Sequence, residues 1–208
     1  MASDRTPSAQ WSLAGGQAWV FLADRGMDNP FVLAADVQDA PTDLAAFVAG
    51  LDHESYSFLS ALRSAQQDVI VLGNGGKADL DSNAGTVTEC VRRAVAERLG
   101  ERPLNVLGIG RGAVTTRYAL AKMEDQRIDH QTGNYFSYNG SVPSAAEAQR
   151  LAAMGSWPAR PRLLKAVSGE FRDELDNDYF DQTTVGDRNP AGALITKQLG
   201  SWIIDRAG

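Results

Sequence analysis

Short apolar runs alternate with segments of helical periodicity along most of this chain, and this alternation constrains the fold more than any other feature. Runs of four to seven mainly apolar residues are typical of buried strands, whereas apolar residues recurring every three or four positions predict amphipathic helices. Together they predict an α/β domain, with a single mostly parallel sheet flanked by helices. The predicted strands span 17–23, 31–35, 68–72, 104–107, 134–138 and 162–167, and the predicted helices span 44–51, 56–65, 83–99, 113–125, 145–154 and 193–206.

The length predicts one domain. The sequence has 208 residues, which is enough for one medium domain or at most two small ones, and a single domain is expected. Residues 1–10 are mainly polar and predict a loose N-terminal tail, so the folded domain is expected over 11–208. No apolar stretch approaches the roughly eighteen residues that a transmembrane helix needs, and the N-terminus lacks the apolar segment of a signal peptide. We therefore expect a soluble, cytoplasmic protein that does not act at a membrane.

Charge and metal-ligating residues argue against several functions. The formal charge of −6 disfavours nucleic-acid binding, which needs clustered Lys and Arg. Cys90 is the one cysteine, and His53 and His130 are the two histidines. A disulfide framework, a cysteine-rich zinc site and a histidine-rich metal centre are therefore not expected, and no cofactor is predicted. The sixteen Arg against four Lys, in an Ala-rich chain, suggest a bacterial genome of high GC content.

The strongest local signal is a turn bracketed by glycines. The predicted strand 104–107 runs into Gly108-Ile109-Gly110-Arg111-Gly112, and a predicted helix follows. This is the layout of the nucleophile elbow, in which G-x-S-x-G presents a serine above a sheet. With the order of the preceding elements, the turn makes residues from about 17 to the C-terminus resemble a small, capless, lipase- or esterase-like member of the α/β-hydrolase superfamily. The resemblance implies a site at the carboxyl ends of the strands, bordered by Ile109, Gly110 and Arg111.

Two members of the hydrolase triad are missing where the resemblance places them. Gly110 stands at the serine position and has no nucleophilic side chain. The loop 184–190, where the histidine is expected, contains none. Three interpretations of Gly110 stay open: relief of elbow strain once serine chemistry is not needed, an engineered Ser→Gly substitution, or a G-x-G-x-x-A dinucleotide fingerprint with Gly108 and Ala113. The fingerprint calls for an acidic residue after the next strand, where 138–140 holds none.

Polar residues that follow predicted strands are the candidates for chemistry. Asp36 follows the strand 31–35, where hydrolases build the oxyanion hole; a carboxylate there repels an oxyanion and instead suits proton transfer. Glu170 lies just beyond the strand 162–167, where partial burial would raise its pKa and make it a general acid or base. Tyr138 ends another strand, at the same edge of the sheet. The predicted catalytic set is therefore Asp36, Glu170 and Tyr138. The predicted binding residues are Gly110, Arg111, Ile109, Asn139 and His53.

These features favour an enzyme that performs non-hydrolytic acid/base chemistry on a hydrolase scaffold. We expect a cyclisation, isomerisation or elimination of a small hydrophobic metabolite, in the setting of bacterial secondary metabolism. One alternative is a non-catalytic pseudo-hydrolase that binds a small molecule or a partner protein. Another is a serine esterase whose nucleophile has been substituted. Because no long insertion that would form a cap is visible, a homodimer that pairs over the site is also expected.

Overall fold

The computed structural model describes residues 5–76 and 78–208. Within these residues, eight strands form one sheet in the order β1-β2-β6-β3-β7-β8-β9-β10, and β4 and β5 form a small hairpin. The strands are β1 Ala9–Leu13, β2 Gly16–Phe21, β3 Pro30–Ala34, β4 Asp52–His53, β5 Tyr56–Ser57, β6 Asp68–Asn74, β7 Leu104–Ile109, β8 Thr132–Tyr138, β9 Arg162–Val167 and β10 Gln182–Val185. The helices are α1 Leu44–Leu51, α2 Phe58–Ser64, α3 Leu80–Glu97, α4 Arg111–Asp125, α5 Ala145–Ala152 and α6 Lys197–Ala207, with a 3-10 turn at Asn177–Tyr179.

The sheet is mostly parallel, as the sequence predicts. Only β1 and β2 run antiparallel to their neighbours, and the strands from β6 to β10 pair in parallel. The central strands β3, β6 and β7 are buried along their whole length, which explains why they are continuous apolar runs and do not alternate.

Two apolar clusters lie on the two faces of the sheet. Val32 points to the face covered by α3 and α4, whereas Phe31 and Leu33 point to the face covered by α1, α2 and α6. This alternation follows from the two-residue period of a strand. Burial on both faces fixes the register of each strand, and it therefore fixes where the strand ends meet.

The predicted N-terminal tail is wrong at its last two residues, which belong to a strand. Ala9 and Gln10, assigned to a loose tail, belong to β1 and pair with Val20 and Trp19 of β2. Trp11 explains this, because its indole is only 2% exposed and packs in the core. Residues 1–4 of the predicted tail lie outside the described residues. In the part of the chain described, no helix is long and apolar enough to cross a membrane.

Candidate functional site

One residue, Gly110, joins β7 to α4. Its backbone angles, φ 56° and ψ −122°, lie in a region that only glycine adopts without strain. The turn is also tightly packed, because a Cβ at Gly112 would overlap the carbonyl oxygen of Ala35, the residue just after β3. The turn therefore has the sharp geometry of a nucleophile elbow, with glycine at its tip.

The Asp36 carboxylate lies directly against this turn. Asp36 follows β3, and its Oδ1 accepts a hydrogen bond of 2.7 Å from the backbone N–H of Arg111. A Cβ built on Gly110 would lie 2.6 Å from the same oxygen. Asp36 thus occupies the space of a side chain at position 110. It also binds the N–H that follows the elbow residue, which in hydrolases is an oxyanion-hole donor, and the α4 dipole stabilises the negative charge there.

The Arg111 side chain points to a different partner. Its guanidinium forms an ion pair with Glu147 of α5, whose other oxygen accepts from the Ser144 backbone N–H at 2.7 Å. Burial raises the pKa of Glu147, but the hydrogen bonds from Arg111 and Ser144 outweigh it and hold that pKa below its usual value. The backbone of Arg111 therefore belongs to the elbow, whereas its guanidinium binds α5 through the ion pair with Glu147.

Tyr138 and Glu170 meet through Asn189, which the sequence analysis did not identify. The Tyr138 hydroxyl donates to Oδ1 of Asn189 (3.1 Å), and Glu170 Oε2 accepts from the Asn189 backbone N–H (2.9 Å). The Asn189 Nδ2 group donates to the Leu194 carbonyl at 3.1 Å. Asn189 lies in the loop 184–190, where the resemblance to hydrolases places a histidine. Its position in that loop was the one available signal.

The protonation states of Tyr138 and Glu170 differ from those of an acid/base pair working near neutral pH. Burial raises the pKa of Tyr138 to about 12, so its phenol stays protonated. Glu170 is exposed. Its partial desolvation raises the pKa, but hydrogen bonds from Asn189 outweigh this effect and leave the pKa below its usual value. The expectation of a raised pKa for Glu170 is therefore wrong, because the carboxylate faces solvent and accepts a backbone N–H.

Asn139 ties two strand ends together. Its Oδ1 accepts from the Ser168 backbone N–H and its Nδ2 donates to Ser168 Oγ, both at 2.8 Å. Both ends of the amide are thus engaged within the protein. This arrangement assigns Asn139 to joining β8 and the end of β9.

His53 lies in the β4–β5 hairpin, between the helices α1 and α2. The helix α1 ends at Leu51. The Asp52 carboxylate then accepts hydrogen bonds from the backbone N–H and the hydroxyl of Ser60 in α2, and these bonds hold the hairpin against α2. The His53 Nδ1 atom accepts from the Ser55 backbone N–H at 3.2 Å. Its Nε2 atom lies 3.6 Å from the position of a Cβ on Gly192. His53 therefore lies beside the 192–194 loop.

A cleft of about 420 Å³ opens beside the elbow. Of the predicted site residues, Asp36 and Ile109 line it. The remaining walls come from the loop after β3, from α1 and from the 192–194 loop: Ala35, Gln38, Ala40, Pro41, Thr42, Asp43, Ala46, Phe47, Gly50, Gly192 and Leu194. Among the residues that the structure describes, no group of three or more His, Cys, Asp and Glu side chains could hold a metal ion.

Comparison with solved structures shows which known fold this sheet belongs to. A bifunctional GH43-CE protein from Bacteroides eggerthii matches with a TM-score of 0.62 and 10% identity, over 95% of this chain and 37% of that one. The esterase LipW from Mycobacterium marinum matches with a TM-score of 0.60 and 15% identity, over 96% of this chain and 79% of that one. A lipase/esterase from Lactobacillus plantarum matches with a TM-score of 0.56 and 10% identity, over 95% of each chain.

The fold is that of the α/β-hydrolases, as the elbow residues indicated. No protein-family model and no curated protein matches the sequence. At 10–15% identity the likeness to the solved structures shows the fold alone, so function has to be argued from the site.

Proposed function

We propose that this protein uses the hydrolase fold without the Ser-His-acid triad and performs acid/base chemistry on a small hydrophobic molecule. The observation that carries the proposal is the position of Asp36, whose carboxylate fills the space beside Gly110, engages the Arg111 N–H and lines the cleft. An acyl oxyanion would have to compete with this carboxylate for the same N–H. The site therefore suits a proton transfer better than an acyl transfer.

In this proposal Asp36 accepts a proton from the substrate. Phe47, Ile109 and Leu194 give the cleft apolar walls, which suit a small hydrophobic body. Tyr138 and Glu170 position the cleft wall. Both form hydrogen bonds with Asn189, and the Asn189 side chain donates to the carbonyl of Leu194 in that wall. The reaction would be an isomerisation, a cyclisation or an elimination, and bacterial secondary metabolism remains the proposed setting.

Hydrogen exchange at carbon tests the proposal without knowledge of the true substrate. Small apolar ketones in D2O exchange their α-hydrogens when a base is held beside them, and proton NMR follows the loss of signal. We expect the wild-type protein to accelerate exchange for at least one ketone and Asp36→Asn to abolish it. Asp178→Asn, the same charge change at an exposed residue away from the cleft, should retain it. Acceleration that survives in Asp36→Asn would contradict the proposed role.

A serine esterase is tested with a fluorophosphonate probe, because the solved structures of similar fold include esterases. We expect no labelling of the wild-type protein, and labelling would overturn the proposal. The Gly110→Ser variant should also stay unlabelled, since its side chain would meet Asp36 and no histidine is present in 184–190. Labelling of this variant alone would indicate a retained base and a substituted nucleophile.

A second candidate is a non-catalytic protein that binds a small molecule. One observation favours it: two of the three predicted catalytic residues, Tyr138 and Glu170, form hydrogen bonds to Asn189, so Asp36 is the one member of that set that lines the cleft. In the exchange experiment, ketones that bind to the cleft without accelerated exchange would support this candidate over the enzyme.

A further inference from the structure

We infer that the cleft selects small apolar molecules that carry a protonated amine. This inference deepens the proposed function and rests on it, because it concerns the ligand of the same cleft. It follows from the charge of the lining, from an oxygen of Asp36 that is left available and from the apolar walls around it.

The charge of the lining has one sign. Asp36 and Asp43 are the charged groups among the lining residues, and within the described chain that lining includes no Lys, Arg or His. His53 contacts the position of a Cβ on Gly192 but is not itself a lining residue. The Arg111 guanidinium, adjacent in sequence to the elbow, is paired with Glu147. A cationic ligand is therefore attracted, and a carboxylate or phosphate ligand is repelled.

One carboxylate oxygen of Asp36 can accept a hydrogen bond from a ligand. Its Oδ1 accepts from the Arg111 N–H, and within the described part of the chain its Oδ2 takes part in no hydrogen bond or ion pair. Asp36 is half-buried, where a charge-assisted hydrogen bond to an ammonium group is stronger than at an open surface. Asp43 is exposed, and its Oδ1 caps α1 through the Ala46 N–H, so solvent screens its contribution.

The walls around the carboxylate specify the rest of the ligand. Phe47 from α1, Ile109 from the end of β7 and Leu194 from the last loop present apolar surface to the same space. A fully hydrated cation such as a bare ammonium ion gains nothing from these walls, whereas an amine with an apolar body buries that body against them. A volume of about 420 Å³ admits a ligand of one or two rings.

Three probes of nearly equal shape test the inference: 2-phenylethylamine, 2-phenylethanol and 3-phenylpropanoate. Each is titrated into the 208-residue chain at low ionic strength while the backbone amide of Arg111, which donates to Asp36, is followed by two-dimensional NMR. We expect the amine to bind at least tenfold more tightly than the alcohol and the carboxylate not to bind. Asp36→Asn keeps an oxygen for the Arg111 N–H. It should weaken binding of the amine by about tenfold or more, as loss of a hydrogen bond to a charged group does.

The controls separate this inference from the proposed function. Asp178→Asn removes one negative charge, as Asp36→Asn does, and should leave amine binding unchanged. Equal binding of amine and alcohol, no binding of any probe, or full amine affinity in Asp36→Asn would each overturn the inference. Selective amine binding together with failure of ketone exchange would instead support the inference and remove the acid/base function. Conversely, exchange that depends on Asp36 without amine selectivity would leave the proposed function standing alone.

Discussion

Gly110 and Asp36 compete for one volume, and this competition gives a prediction at the scale of single residues. Gly110→Ala introduces a side chain at φ 56° and places its Cβ 2.6 Å from Asp36 Oδ1. We expect a loss of stability of about 2 kcal/mol or more, because unfavourable backbone angles alone cost about 1–3 kcal/mol and the overlap adds to this. Urea unfolding followed by circular dichroism measures the change.

Gly155→Ala is the matched control for this prediction. Gly155 also has a positive φ, of 89°, but nothing lies within 4 Å of a Cβ built there, so its substitution reports backbone strain without a clash. Gly110→Ala should therefore cost more than Gly155→Ala. Adding Asp36→Gly should recover the difference, since the neighbour that causes the overlap is then gone. Additive costs in this double variant would show that Asp36 does not occupy the space assigned to it.

At the scale of elements, a buried charge in β9 holds the segment that follows the strand. Lys165 is 1% exposed, and its Nζ donates to Asp173 Oδ2 and to the Leu175 carbonyl, both at 2.6 Å. Asp173→Ala removes the counter-charge and leaves the ammonium buried, so we expect a loss of roughly 3 kcal/mol. Lys165→Met removes the charge itself, fits the strand and should cost less. If urea unfolding gave the opposite order, the ion pair would not be the group that stabilises this segment.

The central strands could be predicted from the sequence, but the edge strands could not. Strands β3, β6 and β7 are fully buried and therefore appear as apolar runs. β10 has no buried residue and β1 has one, Trp11, so neither carries a run that periodicity can detect. Edge strands of this kind are specified by backbone pairing to a neighbour that already exists, and a single sequence does not reveal that neighbour.

The candidate site could also be predicted only in part. The positions of Asp36 and Glu170 after strands, and of Tyr138 at the end of one, were predictable, because parallel strands end at one edge of the sheet. Their partners were not, since Asn189 arrives from a loop whose path depends on the packing of α6 and the cleft wall. The partner of the Arg111 guanidinium was not predictable either, because Glu147 belongs to α5, which is remote in sequence.

At the scale of the whole molecule, the strand order explains why the cleft lies where it does. The chain passes from β3 to β6 on one side and then returns to β7 on the other side of β3. The connections that leave β3 and β7 thus diverge, and open α/β sheets bind ligands at such a switch point. Asp36 follows β3 and Gly110 follows β7, so the two residues that meet at the elbow flank this crevice.

The cleft has no cap among the described residues, and we propose that a second copy of the chain covers it. Phe47 is half-buried at the cleft wall and supplies apolar surface for such a contact. Light scattering should then give twice the chain mass of 22.3 kDa, and Phe47→Glu should return the protein to a monomer. The pairing should strengthen with salt, because it brings together two chains of net charge −6 with acidic clefts.

A second variant distinguishes this arrangement from pairing through the edge of the sheet. Val185 of β10 is 69% exposed on an edge strand, and edge strands readily pair with another chain. Val185→Asp should leave a cleft-to-cleft dimer intact and should dissociate an edge-to-edge dimer. A monomer at every concentration would remove the dimer altogether. Dissociation by Val185→Asp with no effect of Phe47→Glu would move the contact to β10 and leave the cleft open to solvent and ligand.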